Sequence, residues 1–172
     1  QLTLRLCLQW IAKGHDVTWV LQLLYRDFLD WNNWLWEYRR LQPFGLIGVG
    51  SDDCIAPGAV TRWCKPSWGM GGWQGARFES LDNSPMYDAL PDYPLWNDTT
   101  NRMNLYDVGQ SAAMAAECNA LATIADMLHL PADAAMLRAR ESALGTEIQT
   151  RMWSDELHVF SNVLLNGSAY AR

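Results

Sequence analysis

A run of acidic, aromatic and turn-forming residues near the middle of the chain has a composition suited to chemistry on a sugar. The run reads Phe78-Glu79-Ser80-Leu81-Asp82-Asn83-Ser84-Pro85-Met86-Tyr87-Asp88. When a glycosidic bond is cleaved, one carboxyl donates a proton to the leaving oxygen, and flat rings pack on the apolar faces of the sugar. The residue types alone favour a turn, because Asp, Asn and Ser bond their own backbone and Pro stops a helix.

Two helices are expected near the start of the chain. The apolar run from Leu2 to Ala12 predicts a short helix that Lys13-Gly14 ends, and Asp16 is the expected N-cap of the next helix. A stripe with helical spacing predicts one long amphipathic helix: Val17, Val20, Leu21, Leu24, Phe28, Trp31, Leu35 and Tyr38. Three carboxylates off this stripe are expected to face water: Asp27, Asp30 and Glu37. Three tryptophans on the helical patterns are expected in the core: Trp10, Trp31 and Trp34.

The helical period is absent from residue 41 to about residue 104. This range holds most of the glycines and prolines, and it is too aromatic for a flexible linker. Because connections longer than about 15 residues are uncommon in a compact domain unless they are functional, we expect 41–104 to be a long ordered loop region.

A second pair of helices is expected after this region. The helical period returns near Tyr106 with a stripe of mostly small residues that suits close packing: Ser111, Ala115, Cys118, Leu121, Ala122, Ala125 and Leu128. That helix is expected to end before Leu130, with Pro131 in the first turn of the next. The buried face of the last helix is expected to hold Leu137, Leu144, Ile148 and Met152, and Gly145 interrupts it at some cost. A turn and a short extended segment are expected after Trp153.

Composition narrows the possible partners. The chain has 172 residues with a formal net charge of -6, which argues against nucleic acid or an anionic membrane and fits a neutral, polyhydroxylated small molecule. No apolar run reaches the roughly 18 residues of a transmembrane helix. The cysteines have neither the spacing nor the histidine neighbours of a zinc site, and no disulfide framework is expected at this chain length. We interpret them as small buried thiols, and only Cys54 and Cys64 are close enough in sequence to be considered as a pair. Asp52 and Asp53 are interpreted as a solvated loop tip rather than a calcium site. We expect no metal and no cofactor.

The segment 78–88 resembles the Glu-Ser-Gly-x-Asp-Asn-Ser-Pro box of glycoside hydrolase family 63 and its bacterial mannosylglycerate hydrolase-like relatives. It departs from that box by one residue, because Leu81 follows Ser80 without the Gly. Four further stretches resemble the family in the same order along the chain: 31–40, 45–52, 121–128 and 153–168. His129 and His158 stand where the family usually has Gly, and we interpret both as surface substitutions rather than ligands.

The resemblance implies an all-α fold that is part of an (α/α)6 barrel, with two helix pairs and a long ordered loop between them. Residues 1–172 are then a fragment of a single catalytic domain, and 41–104 is its active-site loop region. The implied activity is hydrolysis of α-glucosides or α-mannosides with inversion, without a cofactor. The general base is expected outside this fragment, which alone is expected to be inactive. A cytoplasmic location is favoured.

The resemblance also implies roles for individual residues. The Asp before Asn-Ser is the general acid of the family's box, and it corresponds to Asp82. The missing Gly leaves Glu79 as a rival for that role, or as a ligand to a sugar hydroxyl. The expected substrate-binding residues are Phe78, Glu79, Tyr87 and Trp73, while Asp88 is expected to form a turn or a helix cap.

Two alternatives remain open. A trehalase-like enzyme uses a similar Glu-Ser-x-x-Asp box. A non-catalytic carbohydrate-binding or scaffold barrel could have kept the fold and lost the chemistry. A matching Glu further along the gene would favour the enzyme.

Overall fold

The computed structural model describes residues 1–50, 90, 92–97, 100 and 102–170. The helices in this part are α1 (Leu2–Ala12), α2 (Thr18–Tyr38), α3 (Val108–Met127) and α4 (Pro131–Glu147), which continues as a π-helical turn (Ile148–Met152). The short strands are β1 (Arg40–Leu41), β2 (Leu46–Ile47), β3 (Trp96–Asn97), β4 (Arg102–Met103), β5 (Leu105–Tyr106), β6 (Trp153–Ser154), β7 (Val159–Phe160) and β8 (Val163–Leu164). The antiparallel strand pairs are β1–β2, β3–β4, β5–β8 and β6–β7. The predominance of helix confirms the predicted all-α class.

The first two helices form where the sequence predicts them. α1 spans the predicted residues, and Gly14 makes the following turn with a φ of 84°, a value that suits glycine. The N-cap of α2 is Val17 rather than Asp16. Asp16 still serves the helix start, because its Oδ1 accepts a hydrogen bond of 2.9 Å from the Thr18 backbone N–H. That bond lowers the pKa of the Asp16 carboxyl.

The buried face of α2 differs from the predicted stripe. The buried residues of this helix are Leu21, Tyr25, Leu29 and Asn32, whereas Trp31 and Tyr38 are exposed. Tyr25 can point inward because its hydroxyl donates a 3.0 Å hydrogen bond to Asp133 at the start of α4. A partner inside the protein removes the cost of burying the polar atom, and hydrophobic periodicity carries no information about such a partner. The predicted exposure of the three carboxylates on α2 is confirmed.

The predicted burial of two tryptophans is wrong in the described structure. Trp10 on α1 and Trp31 on α2 are each 55% exposed, and Trp31 instead stacks on Trp34 with ring centroids 5.1 Å apart. Cys7 is the buried residue of α1. Most of the large apolar side chains of that helix therefore face outward.

α3 and α4 pack closely as a helical hairpin, with α2 against α3. The predicted small-residue stripe of α3 is buried at Ser111, Cys118, Ala122 and Ala125, which allows the backbones to approach. The predicted face of α4 is confirmed at Leu137, Leu144 and Met152, all almost fully buried. Gly145 does not break the helix.

A fully buried asparagine joins these three helices. Asn32 on α2 accepts a 2.8 Å hydrogen bond from the Arg140 guanidinium of α4, and its Nδ2 lies 3.4 Å from the Glu117 carboxylate and 3.4 Å from Cys118 Sγ on α3. Arg140 also donates to Asn33 Oδ1 at 2.8 Å. Since a buried amide is costly unless its donors and acceptors are satisfied, this junction fixes how the helices meet.

The end of α3 explains the backbone conformation of His129, one of the two histidines that the sequence comparison aligned with glycines. Leu130 N–H donates to the Ala125 carbonyl at 2.8 Å and His129 N–H to the Asp126 carbonyl at 3.0 Å, which is the Schellman arrangement around the C-cap Leu128. His129 therefore has a φ of 59°, and His158, in the turn between β6 and β7, has a φ of 53°. Both positions have the left-handed backbone that favours Gly.

Replacing His129 with Gly is expected to stabilise the protein. The gain in the free energy of unfolding should be about 0.5–1 kcal/mol, because relief of the left-handed strain exceeds the added entropy of the unfolded chain. Urea unfolding monitored by circular dichroism measures it. His15→Gly is the matched control, since His15 lacks the positive φ and should give no gain. An equal gain at both positions would show that backbone strain is not the cause.

A second prediction concerns Glu117. Burial raises the pKa of this carboxyl, and the hydrogen bond from Asn32 lowers it by less. A raised folded-state pKa adds stability below the unfolded-state pKa, and this contribution is lost as the pH rises through the folded-state value. Glu117→Gln keeps an acceptor for Asn32 and removes the titration, so its stability relative to wild type should increase from acid to neutral pH.

Urea unfolding of wild type and Glu117→Gln across this pH range tests the prediction. Glu37→Gln is the control, because Glu37 is exposed on α2. A stability difference for Glu117→Gln that does not change with pH would contradict it.

Candidate active site

The residues proposed from sequence for catalysis and substrate binding lie outside the described residues. This applies to Asp82 and to Phe78, Glu79, Tyr87 and Trp73, and also to Asp52, Asp53, Cys54, Cys64 and Asp88. The structure does describe chain segments on both sides of 51–89. We call residues 46–50 the incoming stem and residues 102–106 the outgoing stem.

The incoming stem runs through the core. Leu46, Ile47 and Val49 are at most 1% exposed, and Gly48 and Gly50 are also buried. Backbone groups removed from water need hydrogen-bond partners. Two of these partners lie outside the helices. Gly48 N–H donates to the Arg39 carbonyl at 2.8 Å, and the Val49 carbonyl accepts from Met103 N–H at 2.8 Å.

The start of α3 supplies the partners of Ile47. The Ser111 hydroxyl accepts from Ile47 N–H at 3.0 Å, and the Asp107 N–H donates to the Ile47 carbonyl at 2.8 Å. The Ser111 hydroxyl can also donate to that carbonyl, at 3.5 Å. The first turn of α3 therefore satisfies both polar groups of a residue on the incoming stem.

Gly48 is required by the closeness of two other segments. A Cβ at this position would overlap Leu41 Cδ1, would lie 2.8 Å from Leu41 Cγ and would lie 3.2 Å from the Leu105 carbonyl oxygen. Leu41 is itself buried, so its side chain has little room to move away. A residue without a side chain therefore fits best between β1 and β5.

The outgoing stem returns beside the incoming one. Gly50 forms an isolated bridge with Arg102, so the residues on either side of 51–101 lie beside each other. β5 then pairs with β8, with Leu105 opposite Leu164. Val49, Met103, Leu105 and Leu164 belong to one buried cluster, which also includes Leu95 and Tyr170.

Two buried polar side chains hold the N-terminus of α3 at this place. Asp107 is the N-cap, and its Oδ1 accepts from Gln110 N–H at 2.7 Å. Asn162 Oδ1 accepts from Val108 N–H at 2.9 Å. Both side chains are at least 98% buried. An Asp before a helical pattern is a recognisable cap signal that would have identified Asp107, but nothing local marks Asn162, which acts on a residue 54 positions away.

The described residues give no separate catalytic centre. Within them, no group of three His, Cys, Asp or Glu side chains could hold a metal ion. None of the described helices is long and apolar enough to cross a membrane. What these residues provide is a buried, hydrogen-bonded base, built from the two stems and the start of α3, in which Gly50 and Arg102 lie side by side.

Replacing Gly48 with Ala should destabilise this base. The expected loss is about 1–3 kcal/mol in the free energy of unfolding, the usual range for forcing a methyl group into a packed core. Gly145→Ala is the matched control. A Cβ there meets nothing within 4 Å, so the change should stabilise α4 by about 0.5–1 kcal/mol. Equal effects of the two changes in urea unfolding would contradict the close approach at Gly48.

Comparison with known proteins identifies the family. The model of the mannosylglycerate hydrolase MGH1-like glycoside hydrolase domain matches residues 7–172. No curated protein matches the chain. The family match begins within α1, extends beyond β8 and includes the segment 78–88, in agreement with the resemblance seen in the motifs. The chain therefore belongs to the MGH1-like glycoside hydrolase family, whose general activity is the hydrolysis of glycosidic bonds.

Proposed function

We propose that this chain supplies the general acid of an inverting α-glycosidase, and that Asp82 is that acid. The observation that carries the proposal is the Glu79-Ser80-Leu81-Asp82-Asn83-Ser84-Pro85 sequence within a chain of a glycoside hydrolase family. Support also comes from the stems, because both ends of the segment that contains this sequence are anchored in the core at the start of α3. A catalytic carboxyl needs such a rigid base to keep its position against a substrate.

The mechanism requires two carboxyl groups on opposite sides of the sugar. In inverting enzymes they are about 6.5–9.5 Å apart, so that a water molecule fits between the general base and the anomeric carbon. Asp82 donates its proton to the leaving oxygen as the bond breaks, while the base takes a proton from the water. The base is proposed to lie outside residues 1–172. Aromatic neighbours and a nearby carboxylate would raise the pKa of the acid, and Phe78, Tyr87 and Glu79 are proposed for this role.

The proposed substrate is an α-glucoside or α-mannoside of a small aglycone or an oligosaccharide. Trp73 and the two aromatic residues beside Asp82 are proposed to bind its apolar faces. Activity on a panel of α-linked glucosyl and mannosyl substrates distinguishes this proposal from the trehalase-like and non-catalytic alternatives. The anomer of the first product is determined by NMR. A β-anomeric first product supports inversion, and a protein that binds sugars without hydrolysis supports the scaffold.

Asp82→Asn tests the role of the acid. On a substrate with a poor leaving group, kcat should fall about 10²–10⁴-fold, the usual contribution of general acid catalysis. A glycosyl fluoride needs no protonation of its leaving group, so its hydrolysis should fall much less. Initial rates on both substrates measure the difference.

Two further variants complete the experiment. Asp88→Asn removes a carboxylate from the same segment at a position expected to form a turn, and it should retain near-normal rates. Glu79→Gln separates the rival carboxyls. If Glu79→Gln shows the leaving-group dependence and Asp82→Asn does not, the acid is Glu79. Normal turnover of Asp82→Asn would remove Asp82 from the role.

A further inference from the structure

A groove of about 580 Å³ lies between the C-terminal end of α2 and the second half of α4. Its walls include Trp36, Arg40, Gln42 and Phe44 on one side, and Ser142 and Glu147 on the other. Its volume falls in the range of about 300–1,000 Å³ that is common for small-molecule sites. None of these residues belongs to the segment proposed for catalysis.

The aromatic rings of the groove bind guanidinium groups. The Arg40 guanidinium carbon lies 4.3 Å from the ring centroid of Trp36, and that of Arg140 lies 5.0 Å from the same ring. The Arg151 guanidinium carbon lies 3.7 Å from the centroid of Phe44. Rings occupied in this way are poor platforms for a sugar, and they hold the arginines in fixed positions.

The charges of this groove are only partly balanced. Arg151 forms an ion pair with Glu147. Among the described residues, Arg40 and Arg140 form no ion pair, and the hydrogen-bond acceptors of Arg140 are the neutral amide oxygens of Asn32 and Asn33. This excess of positive charge is local, because the whole chain has a net charge of -6.

The two arginines also oppose each other. Burial lowers the pKa of the Arg140 guanidinium, and the charge of Arg40 lowers it further. Positive charge that is partly removed from water and lacks a negative partner is unfavourable. A negative group in front of Arg40 would offset the repulsion between the two guanidinium groups and would compensate for their loss of water.

We propose that this groove is a binding site for an oxyanion group, carboxylate or phosphate, of a small ligand. Arg40 binds the anion through its planar fork of N–H donors, and Arg140 contributes charge from the other contact on Trp36. The exposed Ser142 hydroxyl and the Gln42 amide, which also line the groove, offer further donors. The charge of Glu147 is already neutralised by Arg151. The site does not depend on the glycosidase proposal.

Thermal unfolding with added anions tests the site. Inorganic phosphate and malonate are titrated separately at constant ionic strength maintained with NaCl, and the rise in Tm is fitted to a binding curve. Wild type should show a saturable rise with at least one of the anions. The better of the two identifies the oxyanion chemistry. In Arg40→Gln, Kd for that anion should increase about tenfold or more, as expected for loss of a charged hydrogen bond.

Two further variants separate binding from general salt effects and from misfolding. Arg26→Gln removes an exposed arginine of α2, paired with Asp30, and should keep the wild-type Kd. Ser142→Asp places a negative charge in the groove, leaves both arginines intact and should abolish the saturable rise. Equal Tm curves for wild type, Arg40→Gln and Ser142→Asp would show only the general stabilisation by these salts and would overturn the proposal. So would the absence of a saturable rise in wild type.

Discussion

The buried backbone of residues 46–50 is the constraint on which the rest of the structure depends. A chain segment that passes through a core must find a partner for every peptide N–H and C=O, because none is available from water. Here the partners come from Arg39 after the end of α2, from the outgoing stem and from the start of α3. Ser111 and Asp107 serve Ile47 in particular, so the position of the stem and the start of α3 are fixed together. The absence of a side chain at Gly48 is a condition of this arrangement.

The polar junction at Asn32 is a second buried hydrogen-bond network, and it fixes how the helices pack. It joins α2 to α3 and α4 through hydrogen bonds that are lost if the helices shift. Arg140 takes part in this junction and also contacts Trp36 at the groove. One of the two arginines that contact Trp36 is therefore held in place by the helix packing itself. Its position is preorganised, which lowers the cost of binding an anion.

Sequence patterns predicted the elements better than the contacts between them. The bounds of α1 and the end of α3 were predictable, because apolar spacing, Gly14 and Pro131 are local signals. The buried face of α2 was not, since Tyr25 and Asn32 are buried by partners about a hundred positions away. The role of Asn162 could not be predicted for the same reason, because it binds a residue 54 positions away. The assignment of Asp82 as the acid depends on its motif and family. The described residues include the stems beside its segment but not Asp82 or its neighbours in sequence.

The bridge between Gly50 and Arg102 has a consequence for the length of the chain between them. The entropy lost when a flexible segment is closed grows only with the logarithm of its length, by about 0.6 kcal/mol for each doubling. Once the stems are paired and their backbone groups satisfied, added length between them raises this entropic cost only slightly. Insertions between the stems therefore cost little in closure entropy.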